Sequence, residues 1–339
     1  MPSNAWSLLA SMLLCLSALI WTPARAEVRI ESAMGVDSNV RRTESERPIS
    51  DAFLRLVMAA DTRARLSRKC ALTARYHGGA RRFATQSEED TLVQRVETQM
   101  GCRLDDVRVL LGAQVRDRFT RRPAHPRDFT QAAVRLPVRV QWRPLSATLT
   151  PSIGRFHFKP NGRFSATEAG ATLGIGWRRP RWQAGFDGGY LQRRFDRSTS
   201  LGQSEASERR DHRLRLSARM RYLGGWVGEV TGGVVSNDSP SPGGGYRRQE
   251  LTLSATVGLG WGVMGSTKLS VIRILHDETL RLPDDLLLDD EGRTALTVRL
   301  EKTLASGWAL VFHGGYWTSP FDTGPEYERI QGILGISHR

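Results

Sequence analysis

Arginines at 213, 215, 219 and 221 alternate with Leu214, Leu216, Ala218, Met220 and Tyr222 in the stretch HRLRLSARMRYLGGWVGEVTGGVV. A guanidinium keeps its charge in any protein environment and offers a planar fork of donors, so a row of them on one side of a segment is equipped to hold anions. The same phase recurs at Arg55, Arg75, Arg95, Arg108, Arg116, Arg135 and Arg139. Carboxylates in matching phase are fewer, with Glu97, Glu168, Asp187 and Glu229 the clearest. Facing a water-filled space, this set would favour anions. The competing reading is a set of Arg–carboxylate ladders that only stiffen a wall.

Other chemistry finds less support. A serine hydrolase needs Ser, His and an acid or amide converging on one face, and His77, His157, His212 and His313 share no hairpin with a serine in convincing register. No CxxC pair, HExxH or nucleotide loop occurs. Neither an enzyme nor a cofactor is expected. The acidic run DDLLLDDE holds Asp284, Asp285, Asp289, Asp290 and Glu291. It could bind Ca²⁺ or Mg²⁺, although a solvated loop cluster explains it more simply. No dedicated metal site is expected.

These residues need elements to position them, and the chain supplies strands. Its 339 residues carry a formal charge of +14 and are 40% hydrophobic. Of the 49 basic residues only Lys69, Lys159, Lys268 and Lys302 are lysines. Such a basic chain would ordinarily suggest nucleic acid. However, Leu8 to Trp21 is an apolar run of signal-peptide length, followed by Ala24-Arg25-Ala26. We therefore expect a leader over 1–26, cleavage before Glu27, export, a single domain over 27–339, and no nucleic-acid partner.

After Glu27 the period is two. Leu54, Leu56, Met58 and Ala60 oppose Arg55, Val57 and Ala59; Val107, Val109, Leu111, Ala113 and Val115 oppose Arg108, Gln114 and Arg116. Such runs predict about sixteen strands, with fourteen to eighteen allowed: 28–37, 51–62, 69–83, 90–102, 106–117, 128–142, 145–158, 164–177, 181–195, 208–222, 226–236, 247–261, 266–276, 292–303, 307–317 and 327–338. Short and long connectors alternate, as in an up-and-down meander with two unlike ends.

A soluble β-sandwich also alternates. Here the apolar face is thin on each strand and closes on aromatics: Trp142, Tyr190, Tyr222, Trp226, Trp261, Trp308 and Tyr316. Aromatics at strand ends suit the two interfaces of a membrane. In hydrocarbon every backbone amide needs an internal partner, so a sheet there must close on itself. The fold class expected is all-β, a transmembrane up-and-down antiparallel β-barrel.

The chain resembles bacterial outer-membrane β-barrels of porin size over essentially all of 27–339. The motif GVDSNVRRT, Gly35 to Thr43, is similar to the start of porin-like barrels associated with exopolysaccharide export. The resemblance implies an outer-membrane location, outer-membrane lipid and lipopolysaccharide as surroundings, and the barrel-assembly machinery as a partner. Homo-oligomerisation is left open. It implies a passive channel for anionic or polar solutes or, alternatively, the exit barrel of an exopolysaccharide pathway. A closed structural barrel and a lipid-modifying barrel enzyme remain further alternatives.

Register follows from the faces. A three-residue turn at Leu223-Gly224-Gly225 would set Arg219 opposite Glu229, both facing the lumen. A slip of one residue would turn every arginine toward lipid, at about 2–4 kcal/mol each at the midplane. Pairing 69–83 with 90–102 sets Cys70 opposite Cys102, where an oxidising compartment allows a disulfide or leaves two thiols. Arg118, Arg121, Arg122 and Arg127 in DRFTRRPAHPRD would form a charged constriction if that connector folds inward.

Overall fold

The structure is a computed structural model. It describes residues 25–41, 48–123, 125, 127–196, 209–240, 244–276, 293–304, 306–318 and 327–338. Residues 1–24 of the leader expected over 1–26, and the acidic run Asp284 to Glu291, lie outside the described residues, while Arg25 and Ala26 begin the first strand.

Alternating side chains and turn residues produce seventeen strands. They are β1 (Arg25–Asp37), β2 (Asp51–Arg65), β3 (Cys70–Phe83), β4 (Thr91–Leu104), β5 (Val107–Thr120), β6 (Phe129–Arg135), β7 (Val138–Trp142), β8 (Leu145–Phe158) and β9 (Ala166–Arg178). The ring continues with β10 (Trp182–Phe195), β11 (Arg210–Leu223), β12 (Trp226–Asp238), β13 (Tyr246–Gly260), β14 (Val263–His276), β15 (Thr294–Thr303), β16 (Trp308–Thr318) and β17 (Glu328–His338). Each pairs antiparallel with its sequence neighbours, except that β6 and β7 each pair with β5 and β8, and β1 pairs with both β2 and β17, so the sheet closes. Because β6 and β7 occupy one place between β5 and β8, the ring has sixteen positions.

That split corrects the continuous strand expected over 128–142. Pro137 has no N–H to give to a ladder, and the strand breaks at Leu136-Pro137. Leu110 N donates to Pro137 O at 2.9 Å across the break. The register at Gly224-Gly225 also differs from expectation. Arg221, not Arg219, stands opposite Glu229, and Arg219 faces Thr231. Leu223 stays in the ladder opposite Val227, so the turn is tighter than three residues. A shift of two keeps every side chain on its face, so the lumen assignment survives.

The two faces separate all the way round. Met34, Leu54, Leu111, Ile153, Leu173, Leu214, Leu253, Leu310 and Leu334 are exposed on the outside, where acyl chains would meet them. Short turns mark one end, ringed by outward Trp142, Trp182, Trp226 and Trp308. Tyr190 and Tyr316 lie outward toward the other end. Trp261, 95% exposed, is the tip of the β13–β14 turn and takes a positive φ between Gly260 and Gly262, which do the same. Glycine bears that left-handed conformation without cost. Cys70 and Cys102 are directly opposite on the outward face of β3 and β4 and are joined by a disulfide.

Inside, near the long connectors, aromatic side chains are buried in two clusters: Phe53 and Phe83 with Ala33, Val40 and Ile333, and Phe129 with Phe156, Phe158 and Phe164. The seam between first and last strands is locked there by ions. Arg329 donates to both carboxylate oxygens of Asp37, at 2.9 Å and 2.6 Å, while Gln331 donates to the same group at 3.0 Å. Asn39 Nδ2 donates to Glu328 O, and Ile330 N to Ser38 Oγ. Gly35 allows the close approach: a Cβ there would sit 2.4 Å from Gly332 O. Residues of the GVDSNV motif thus close the ring.

Candidate lumen site

All eleven arginines expected inward fall on the inner face, as the continuous register requires. Arg55 lies on β2, Arg75 on β3, Arg95 on β4, and Arg108 and Arg116 on β5. Arg135 on β6 and Arg139 on β7 follow, with Arg213, Arg215, Arg219 and Arg221 on β11.

Several of them have ladder partners. Arg75 meets Asp61 at 3.3 Å, Arg95 meets Glu97 at 2.8 Å, Arg215 meets Glu250 at 3.3 Å and Arg221 meets Glu229 at 3.8 Å. Arg139 donates to Ser146 Oγ at 3.0 Å, and Arg116 lies over the Phe129 ring. Of the expected acids, Glu168 accepts from Arg193 Nε at 2.9 Å. Arg108, Arg135, Arg213 and Arg219 have no carboxylate partner among the described residues. Wall-stiffening ladders and uncompensated charge therefore coexist.

The connector with Arg121, Arg122 and Arg127 is tied to its neighbours at the rim. Arg121 N and Arg122 N donate to Asp90 O and Glu88 O, beside the single helical turn Ser87–Glu89. Arg127 Nη2 donates to Arg41 O at 2.7 Å. Arg121 and Arg122 are exposed, and Arg118 is buried on β5. These four do not form one charged element across the lumen. The connector's anchor is His125, whose Nε2 lies 3.1 Å from Glu89 Oε2 with both side chains buried. Burial alone would raise the Glu89 carboxyl. The hydrogen bond and charge of His125, with the charges of Arg127 and Arg122, outweigh it and hold the group below its usual range.

A second group of inner residues, apart from Arg55 and His313, escaped the sequence reading. Glu31 of β1 accepts from Arg299 of β15 at 3.2 Å and pairs with Arg55 of β2 at 3.6 Å. Glu301 accepts from Arg299 at 3.0 Å and from Arg29 at 3.3 Å. Three arginines on three strands share two carboxylates. Beside them opens a cavity of about 360 Å³ lined by Arg55, Ser254, Thr256, Ser266, Thr267, Lys268, Thr297, Arg299 and His313. None of the lining residues is acidic. Ser254, Lys268 and Thr297 lie side by side across β13, β14 and β15, and Thr256, Ser266, Arg299 and His313 form the adjacent row out to β16. The signal available in the sequence was the polar phase STK and TVR at 266–268 and 297–299; what it lacked was the ring closure that brings β1 and β2 to them.

No protein-family model matches the chain, and no curated protein sequence is similar to it. Solved structures are similar. OccAB1 of Acinetobacter baumannii aligns with a TM-score of 0.52 at 8% identity, covering 93% of this chain and 96% of that one. OmpT, an outer membrane protein of Vibrio cholerae, aligns at 0.51 and 11% identity, covering 93% and 97%. A bacterial polysaccharide outer membrane secretin aligns at 0.46 and 11%, covering 92% and 98%. At these identities the likeness is one of fold, and the first two carry it. The closed sixteen-position ring with its apolar exterior has, like the first two of these structures, the fold of an outer-membrane β-barrel of porin size.

Proposed function

We propose that the protein is an outer-membrane channel through which small polar solutes, anions above all, diffuse passively. A ring of sixteen strands is wide enough to leave an aqueous interior. The observation that carries the reading is the imbalance on the inner face. Arg63, Arg108, Arg135, Arg213, Arg219 and Lys268 have no carboxylate partner among the described residues, against Glu27, Asp51 and Asp187 without a cationic one, of which Asp51 is taken up by backbone amides. Rings of uncompensated arginine and lysine select for anions in pores. Export and removal of a leader before Glu27 belong to the same reading, and N-terminal sequencing of the mature protein checks them.

The test is a reversal potential in planar bilayers across a KCl gradient. We expect the sign of an anion-preferring pore; cation preference, or no conductance at all, would defeat the proposal. An exopolysaccharide exit barrel would use the same basic lumen for a polyanionic chain. Deleting the gene and finding the extracellular matrix unchanged would remove that second reading.

A further inference from the structure

We propose that the cavity against β13–β16 is a binding site for a sugar acid, a small carboxylate carrying adjacent hydroxyls. The inference deepens the anion-channel reading and rests on it for its transport role, but not for binding. Two kinds of group meet in the cavity. Lys268 makes no ion pair among the described residues and stands exposed to the lumen. Arg299 beside it is steered by Glu31 and Glu301. Counting Arg29, Arg55, Arg299 and Lys268 against Glu31 and Glu301 leaves an excess of two positive charges, which one carboxylate would partly offset.

Apart from Arg55 and His313, the remaining lining residues carry hydroxyls. Ser254, Thr256, Ser266 and Thr297 are inner-face residues on three adjacent strands, and none of their hydroxyls is bonded to another described group. Neighbouring inner residues on paired strands stand about 5 Å apart at Cβ. That spacing suits successive hydroxyls of a sugar ring, with each Ser or Thr able to donate and accept. Elsewhere on the inner wall arginines face mostly other charges or aromatic rings. In this concavity a lumen-exposed lysine without an ion pair among the described residues meets a patch of unbonded hydroxyls. Its volume of about 360 Å³ falls inside the range of small-molecule sites.

Titration calorimetry of the full barrel in detergent tests this with three probes: glucuronate, glucose and acetate. Glucuronate should bind saturably, and about tenfold more tightly than either glucose or acetate, because each of those keeps only one half of the recognition. Lys268→Ala should weaken glucuronate by about tenfold while leaving glucose unchanged. A Ser254→Ala/Thr256→Val variant should weaken glucuronate and leave acetate unchanged. Both variants must retain the heat-modifiable electrophoretic shift of the folded barrel. Equal binding of acetate and glucuronate, or indifference to Lys268→Ala in folded protein, would overturn the site. Glucuronate binding without any bilayer conductance would leave the site standing and defeat the channel. Anion-preferring conductance without glucuronate binding or current block would do the reverse.

Discussion

Arg329 and Arg219 both point inward from the barrel wall, yet they do opposite work. Arg329 is 2% exposed, forks onto Asp37 and lies over the Trp317 ring 4.8 Å away. Arg219 is exposed to the lumen and has no carboxylate partner among the described residues. The first charge is withdrawn from water and matched by a second; the second is left for whatever enters. One fold therefore uses the same side chain as a fastener at the seam and, on the proposed function, as a lure in the passage, and burial decides which.

The contrast is sharpest in what removing each would do. Arg329→Ala leaves the buried Asp37 with only Arg81, 3.6 Å away, as a cation, so we expect a loss of about 3 kcal/mol in unfolding free energy, the low end for a broken buried pair, read as a lower urea midpoint in detergent, with ion selectivity unchanged in the folded fraction. A loss under 1 kcal/mol would mean the seam does not depend on this pair. Gly35→Ala forces a methyl toward Gly332 O at the same seam and should cost about 1–3 kcal/mol by overpacking, seen as earlier loss of the heat-modifiable band on warming. The Glu89–His125 anchor should respond to acid. The native Glu89 carboxyl lies below its ordinary value of 4.5, so its contribution is present above that pH and is lost as pH falls through the native value. Proteolysis or hydrogen exchange at 119–128 should therefore rise as pH falls below about 4.5, and the absence of a rise there would contradict it. At the wet end, Arg219→Glu should leave stability within about 0.5 kcal/mol and still move the reversal potential toward cations. If it destabilises like Arg329→Ala, the distinction between the two arginines fails.

Much of the barrel could be read from single strands, because a period of two is written locally. The expected 51–62, 145–158 and 181–195 agree with β2, β8 and β10 to within three residues. The Cys70–Cys102 pairing needed only one hairpin and is present. The register at Gly224-Gly225 needed the turn's own geometry, which glycines leave underdetermined, and it came out two residues off. Pro137 was in plain sight, but flanking Val134, Leu136 and Val138 keep the alternation running through the break. The Glu31–Arg299 cluster was the least legible. Its members are 268 residues apart and meet only because β1 closes on β17, a fact no local pattern contains. The GVDSNV motif shows the converse: recognised for its resemblance, it is explained by the closure its residues perform.

The disulfide has a consequence for assembly. It ties two strands that are already consecutive, so its formation requires no distant segment to be in place. Once oxidised, β3 and β4 cannot slide past one another whatever state the rest of the polypeptide is in. A barrel that must be stitched together beside lipid thus carries one covalently indexed hairpin, from which the alignment of its neighbours can be counted.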